Sequence, residues 1–248
     1  MKTKSLIILM LALVAGFTSC KKAPLTVGDI ITETRELSDF SEVQLNDNVS
    51  LTLVRSNSCH IEITTGKNII DNITTEVRNN VLTIGNSTTL NWIRPYDYEL
   101  HATLYYKDIR NFTFASSGTL NSTNQYNDTI GTYRFKIDGG SGDIYLLINK
   151  CEDLAVVYQY GTSTLNLRGK DNKRLSVHKR SYGSVDARNL EVQSVDFEHV
   201  SVGDCYIWAI SGIKAEITNL GDLYYKGKPA TVAVHYGDHA RGRLIPLN

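Results

Sequence analysis

Apolar and polar residues alternate with a period of two along most of the chain. The alternation is plain in three early stretches: VQLNDNVSLTLV at 43–54, HIEIT at 60–64 and TTEVRNNVLTI at 74–84. Such runs, rich in Val, Ile, Leu and Thr and broken by Asn, Asp, Ser and Gly, are typical of short β-strands. Only residues 67–72 suggest as much as about one helical turn, so we expect an all-β protein.

A glycine motif recurs through the second half of the chain at intervals near twenty residues. The glycines stand at 118, 140, 161, 183, 203, 221 and 237. Repetition at this interval is typical of a solenoid, in which each repeat is one coil that buries its apolar side against its neighbours. We predict a right-handed parallel β-helix with coils of about twenty residues; an antiparallel sandwich with hairpins at the glycines is the alternative.

The aligned copies of the motif predict corners between strands. Glycine permits left-handed torsions, and the short polar residue after it can hydrogen-bond the local backbone of its own turn. In the copy GSGDI at 140–144 the corner glycine that precedes the aspartate is Gly142. The residues two places after the corner glycine are apolar and are expected to point inward: Leu120, Ile144, Val185, Cys205 and Leu223. The copy at Gly161 reaches Leu165 only after two extra residues, which predicts a bulged corner.

The first twenty residues predict an export signal with a lipid attachment site. Lys2 and Lys4 precede an apolar run at 6–17, which is short for a membrane span. Small residues directly before Cys20 resemble the lipobox of bacterial lipoproteins, so Cys20 is the expected lipidated residue. We assign 1–19 to the signal peptide, 20–28 to a tether and 29–248 to one solenoid domain. Pro95 indicates a loop or crossover, and so a candidate internal break, near 86–100.

Charge and cysteine content narrow the classes of partner. The chain has 26 basic and 26 acidic residues, and loss of the signal peptide leaves it near neutral, which argues against nucleic acid. Cys59, Cys151 and Cys205 permit at most one disulfide in the exported chain, and which of them pair stays open. Cys205 is one of the residues two places after a corner glycine, where the other copies have an apolar residue, so we expect it to be buried. No CxxC or Cys/His spacing indicates a zinc site.

Catalytic constellations find little support in the sequence. A polysaccharide-active enzyme on a β-helix needs carboxylates converging on one face. The candidates directly follow corner glycines and are better explained as turn residues: Asp143, Asp204, Asp222 and Asp238. Histidines 178, 199, 235 and 239, and the basic residues within 170–180, are interpreted as surface residues. We therefore predict no catalytic residue, metal or cofactor.

Tyrosine is the best indication of a binding surface. Among the 14 tyrosines, Tyr145, Tyr206 and Tyr224 come three residues after a corner glycine and are predicted to face outward. Outward aromatic rings can stack on sugars or anchor a protein partner, and these three are our candidate ligand contacts. The alternative is that they only cover strand surfaces, because tyrosine has high β propensity. A second set precedes the glycines: Tyr160, Tyr182 and Tyr236.

Several segments resemble one family. They are FSEVQLNDNVSLTL at 40–53, TTEVRNNVLTI at 74–84, GSGDI at 140–144 and GDLYYKGKP at 221–229. With Cys20, they are similar to the head GIN domain family, named for auto-transporter adhesins and abundant as lipoproteins of Bacteroidota. The resemblance covers roughly 38–240 and implies a right-handed β-helical fold and a cell-envelope location. It carries no catalytic or ligand residues.

These observations predict a lipid-anchored envelope protein that acts as a non-enzymatic binding or adhesion scaffold. Its expected partners are the outer membrane, through lipidated Cys20, and a glycan or envelope protein. Lys21 and Lys22 stand where surface-exported lipoproteins of that group favour acidic residues, so the periplasmic side is slightly favoured. A polysaccharide-active β-helix enzyme and a periplasmic accessory protein are the alternatives.

Overall fold

The computed structural model describes residues 26–89, 98–122 and 130–247. These residues form strands and one 3-10 turn at Ile70–Asn72, with no α-helix among them. The strands are β1 (Ile30–Glu36), β2 (Glu42–Asp47), β3 (Ser50–Arg55), β4 (His60–Gly66), β5 (Ile73–Arg78), β6 (Val81–Asn86), β7 (Leu100–Tyr106), β8 (Asn111–Ser116), β9 (Leu120–Ser122), β10 (Ile130–Asp138), β11 (Ile144–Leu147), β12 (Cys151–Tyr160), β13 (Thr164–Lys179), β14 (Ser184–His199), β15 (Cys205–Ile217), β16 (Leu223–Lys226), β17 (Thr231–Tyr236) and β18 (Leu244–Pro246). The all-β prediction is confirmed.

The strands wind into a solenoid with two broad faces. From β8 onward every pairing between neighbouring coils is parallel. Face A contains β5, β6, β2, β8, β10, β12, the second halves of β13, β14 and β15, and β17. Face B contains β1, β4, β7, β3, β9, β11, the first halves of those long strands, β16 and β18. The prediction of a parallel solenoid is therefore confirmed, and the sandwich alternative is wrong.

Both faces turn at two edges. At the AB edge the chain passes from face A to face B, and at the BA edge it returns. The predicted inward residues stack in register behind the AB edge, and successive members are 18 to 24 residues apart: Leu120, Ile144, Leu165, Val185, Cys205, Leu223 and Leu244. They mark about six turns of about 21 residues. All but Leu244 are fully buried, so like side chains stacked on like build the core.

The N-terminal end departs from regular coiling. β4 pairs antiparallel with β7 and with β1, and β5 forms an antiparallel hairpin with β6. These strands cover the open edges of the first coils, which would otherwise expose unpaired backbone groups. β6 and β7 both join the solenoid beside β2 and β3, so the chain continues in one sheet on either side of the proline segment. Trp92, Pro95 and Tyr96 lie outside the described residues.

The prediction that Gly237 is the last corner glycine is wrong. Tyr236 pairs with Ile217 on face A, whereas Leu244 stacks on Leu223 on face B. The corner glycine of the final coil is therefore Gly242, and Gly237 only begins a longer corner. The interval from Gly221 to Gly237 is short because Gly237 lies at the end of β17, before the coil is complete.

Two of the aspartates that follow corner glycines, Asp204 and Asp222, bind the next coil rather than their own turn. Asp204 Oδ1 accepts the backbone N–H of Asp222 at 3.0 Å, and Asp222 Oδ1 accepts that of Arg243 at 2.7 Å. Ser50 Oγ accepts the N–H of Thr119 at 3.2 Å in the same way. Their structural role agrees with the sequence analysis, but the partner is different. Within the described chain no group of three His, Cys, Asp or Glu side chains is placed to hold a metal ion.

The corner glycines are required because a neighbour occupies the space of a side chain. A Cβ on Gly142 would lie 1.9 Å from the carbonyl oxygen of Gly118, and one on Gly242 would lie 2.0 Å from that of Gly221. At Gly183 the Cβ would lie 1.7 Å from the Tyr158 hydroxyl and 2.1 Å from the Ser163 carbonyl oxygen. Close stacking of coils, rather than left-handed torsion, thus selects glycine at these three positions.

We expect Gly183→Ala to destabilise the fold by about 1–3 kcal/mol, the usual cost of overpacking a tight interior. Gly131→Ala is the matched control, because a Cβ there meets nothing within 4 Å. Urea unfolding followed by far-UV circular dichroism measures both variants. Equal urea midpoints for Gly183→Ala and Gly131→Ala would contradict the steric explanation for the corner glycines.

Candidate functional site

A column of polar side chains lies inside the solenoid behind the AB edge. Tyr158, Lys179 and His199 are paired in register on successive coils of face A, and all three are fully buried. Each reaches the corner that follows it along the chain. The Tyr158 hydroxyl donates to the Ser163 carbonyl at 2.5 Å, and Lys179 Nζ donates to the Ser181 carbonyl at 2.9 Å. The column therefore holds the corners from within.

Two of these residues contradict the surface interpretation made from sequence. Lys179 and His199 were expected at the surface, but both have no exposed area. They share the inward parity of Val177 and Phe197, two residues earlier in the same strands. Strict application of the period-two pattern would have placed them inside. Their polar character misled because each meets the backbone of the corner two residues farther on: Lys179 donates to the Ser181 carbonyl, and His199 Nδ1 accepts the Ser201 N–H.

Burial controls the chemistry of this column. It lowers the pKa of Lys179, and it lowers the pKa of His199 to about 4, with the Lys179 charge adding to the effect. It also raises the pKa of the neighbouring Cys205 thiol to about 11. A thiol, an imidazole and an amine near one another resemble catalytic groups, but none has solvent access, so the cluster is structural. Cys59, Cys151 and Cys205 are all free and buried, as expected for Cys205.

The principal cavity offers no pair of catalytic carboxylates among the described residues. It encloses about 540 Å³ near the BA edge, between β7, β8, β10 and β11. Its one described carboxylate, Asp108, lies 3.0 Å from the Arg110 guanidinium. The aspartates considered for an enzyme lie at the opposite edge, where Asp204 and Asp222 bind backbone groups. A glycosidase arrangement needs two facing carboxylates, which these residues do not provide.

Two of the three candidate tyrosines come together on the outer side of face B. The Tyr206 and Tyr224 rings stack with centroids 5.1 Å apart and an interplanar angle of 16°. The Arg188 guanidinium lies over Tyr206, 4.1 Å from its centroid, and pairs with Asp186. Hydrogen bonding from Arg188 lowers the pKa of the Asp186 carboxyl. Since Asp186 and Tyr224 flank Tyr206 on opposite sides in the register, both faces of the Tyr206 ring are covered.

Trp208 extends this surface and was missed from the sequence. It shares the outward parity of Tyr206 in β15, and Lys226 Nζ lies 3.9 Å from its ring centroid. We call Arg188, Tyr206, Trp208, Tyr224 and Lys226 the aromatic patch. The sequence signal for Trp208 is its position two residues after an outward tyrosine in the same strand. Comparison of the copies only at the third residue after the glycine does not reveal it.

Tyr145 stands apart from the aromatic patch. Its register neighbours toward Tyr206 are Asn166 and then Asp186, so three coils separate the two tyrosines. At about 4.8 Å per coil the gap is about 14 Å. Tyr145 is exposed and faces outward as predicted, but its surroundings are polar. One continuous tyrosine row does not form, because the residue type at that position changes from coil to coil.

The second tyrosine set contributes to a different surface. Tyr160 and Tyr182, 61% and 75% exposed, project from successive corners of the AB edge. Val202 and Leu220 project from the next two corners and are also exposed. We call these four residues the apolar ridge. Tyr236 lies elsewhere, at the last coil, where its hydroxyl accepts the Leu244 N–H at 3.4 Å.

Fold and surfaces together define a parallel β-solenoid whose candidate sites are exposed surfaces rather than a reaction cleft. Comparison with known proteins gives the family and supports the fold. The chain belongs to the family described as "Putative auto-transporter adhesin, head GIN domain", whose sequence profile matches residues 39–229. No curated protein matches the chain.

Solved structures share the fold at low sequence identity. A "putative adhesin" from Bacteroides fragilis NCTC 9343 is 19% identical with a TM-score of 0.76, and the match covers 88% of this chain and 97% of that one. A "putative adhesin" from Parabacteroides distasonis ATCC 8503 is 17% identical with a TM-score of 0.63, covering 89% and 98%. A "Putative lipid binding protein" from the same strain is 18% identical with a TM-score of 0.62, covering 88% and 97%.

Acid should weaken the fold through His199. Its pKa falls from about 6.5 in the unfolded chain to about 4 in the folded protein, so the unfolded state binds the proton more readily. The stability that neutral His199 contributes is fully present above pH 6.5 and is lost as the pH falls through 4. The loss should reach about 3 kcal/mol.

Urea unfolding at pH 7, 5.5 and 4.5 measures the effect. His199→Gln removes the titration but keeps a polar side chain, so comparison of its pH slope with that of the natural chain isolates His199 from other titrating groups. Parallel slopes for the two proteins would show that His199 is not buried in neutral form.

Proposed function

We propose that the protein is a lipid-anchored scaffold of the cell envelope that binds a partner through the aromatic patch without catalysing a reaction. The observation that carries the proposal is the clustering of Tyr206, Trp208, Tyr224 and Arg188 on one outward face. Aromatic and arginine side chains dominate the binding energy of protein interfaces. Membership of a family named for adhesins supports a binding role.

The composition of the patch favours a protein partner over a glycan. Sugars stack on open ring faces, but both faces of Tyr206 are covered, and Lys226 covers one face of Trp208. Ring edges, hydroxyl groups and two cations are left for a partner to contact, which suits protein side chains and backbone carbonyls. An envelope protein is therefore the proposed ligand, and a glycan is the alternative outcome.

Lipid attachment at Cys20 supplies the proposed connection to the membrane. The lipobox-like residues before Cys20 support it, and no helix in the described part of the chain is long and apolar enough to span a bilayer. Solved relatives from Bacteroides and Parabacteroides support an envelope of that type. Lys21 and Lys22 favour the periplasmic face of the outer membrane, where the role is that of an accessory scaffold; surface exposure would make it an adhesin.

Loss of the patch should weaken partner capture. We expect the triple variant Tyr206→Ala, Trp208→Ala, Tyr224→Ala to bind captured envelope proteins at least tenfold more weakly, about 1.4 kcal/mol or more. Tyr145→Ala is the matched control, since it removes an exposed tyrosine from the same face three coils away. Chemical cross-linking and quantitative mass spectrometry of envelope fractions measure capture, with a glycan array in parallel. Unchanged capture by the triple variant would dismiss the patch, and equal loss in Tyr145→Ala would favour the whole tyrosine set.

Cys20→Ala should release the protein from the membrane fraction, because no lipid can then be attached. Membrane retention of Cys20→Ala would contradict the anchor.

Protease applied to whole cells should leave the natural protein intact until the outer membrane is opened. Digestion on whole cells would place the protein on the surface.

A further inference from the structure

The two edges of the solenoid differ sharply in character. The AB edge carries the apolar ridge, and Ile30 is also exposed there at the start of β1. The BA edge instead presents exposed charged residues: Lys107, Asp108, Arg110, Lys150, Lys170, Lys173 and Lys228. Among the described residues near the BA edge, the one comparably exposed large apolar side chain is Val232, at the start of β17. The AB edge also carries exposed charges of both signs, among them Arg180, Asp204 and Arg241, but among the described residues it alone presents a row of four exposed apolar side chains.

The chain enters the domain at the AB edge. Ile30 pairs with Gly66 at the end of β4, and Thr65 pairs with Leu100, where β7 begins at the AB edge. The segment that leads into β1 is held in place, because the Val27 carbonyl accepts the Asn68 N–H at 3.0 Å. Residues 20–28 span at most about 30 Å when extended, so a lipid on Cys20 keeps this corner close to the bilayer.

We propose that the apolar ridge rests on the phospholipid surface, so that the solenoid lies on its side with the AB edge against the membrane. The inference rests on the lipid attachment proposed above. Along face B, six strand spacings separate β1 from the Tyr160 corner and nine separate it from the Leu220 corner, about 30 and 43 Å. The ridge therefore provides a second contact far from the tether and fixes the orientation of the long axis.

The chemistry of the ridge fits a lipid surface. Tyrosine is enriched where membrane meets water, and Val202 and Leu220 can enter the acyl boundary. The four side chains project from convex corners, one from each coil, which matches a broad surface rather than a partner with a pocket for one residue. Four side chains alone bind weakly, as a single acyl chain does, but two weak contacts on one molecule reinforce each other.

Electrostatic attraction has little part in this contact. The carboxylates beside the ridge, Asp204 and Asp222, each accept a backbone N–H of the following coil and would repel anionic lipids. The exposed cations of the AB edge itself, Arg180, Arg241 and Arg243, are matched by Asp143, Asp204 and Asp238 on the same edge, and the cations of the BA edge face away from the bilayer in this orientation. Binding should therefore be insensitive to salt and should occur on neutral phosphatidylcholine.

The test measures which residues touch lipid. The full-length lipoprotein is reconstituted in phosphatidylcholine vesicles that contain a quencher attached to the lipid headgroup. Tyr182→Cys carries an environment-sensitive fluorophore; Lys170→Cys on the BA edge and Val157→Cys on face A are matched controls. The buried thiols of Cys59, Cys151 and Cys205 escape labelling in the folded protein. We expect at least threefold stronger quenching at 182 than at 170 or 157, unchanged in 0.5 M salt.

A second variant separates the possible failures. Val202→Asp with Leu220→Asp changes only exposed positions and should reduce quenching at 182 to the level of the controls, while partner capture by the aromatic patch is unchanged. Equal quenching at 182, 170 and 157 on vesicles that retain the protein would overturn the side-on orientation but leave the anchor intact. Failure of the protein to float with vesicles would overturn the anchor and this inference together. Cross-linking of 182 to another protein in place of lipid would also overturn it.

Discussion

The corners of successive coils must lie in register with one another, because backbone hydrogen bonds hold neighbouring coils about 4.8 Å apart. At the AB edge this leaves no room for side chains between stacked corners. A Cβ on Gly142 would meet the Gly118 carbonyl oxygen at 1.9 Å, and one on Gly242 would meet that of Gly221 at 2.0 Å. The corner backbones therefore touch directly, and each coil positions the next.

Direct contact between corner backbones creates a demand for hydrogen-bond partners, which is met from two sides. From outside, Asp204 and Asp222 each accept an N–H of the following coil. From inside, Tyr158 and Lys179 donate to corner carbonyls while fully buried. Both solutions depend on register, since a slip of one residue would exchange the inward and outward rows. The acid sensitivity of His199 follows from the same arrangement, because its place in the inner column forces it to stay neutral.

The local rules of the fold could be predicted from sequence, whereas the spatial neighbours could not. Period-two alternation and the glycine spacing were enough for a parallel solenoid and for the burial of Cys205. The antiparallel pairings of β4 with β1 and with β7 were not predictable, because they join residues far apart in the chain, such as Glu36 with His60 and Thr65 with Leu100. Gly237 misled because a strand end can carry the same pattern as a corner, a glycine followed by a short polar residue. The aromatic patch was half found: Tyr206 and Tyr224 were expected, but Trp208 needed the parity of its strand, and the separation of Tyr145 needed the coil count.

The position directly before each corner glycine is the least constrained in the coil. Its neighbour must be glycine and the residues two places farther on must be apolar, but its own side chain points into solvent and contributes nothing to the stacked interior. Polar residues would serve the fold equally well there, and would favour solubility. Tyr182, Val202 and Leu220 nevertheless occupy this position on three successive coils, with Tyr160 on the coil before. Stability of the solenoid gives no reason for that choice, so the reason lies with what the edge contacts, and the chain enters the domain along the same edge.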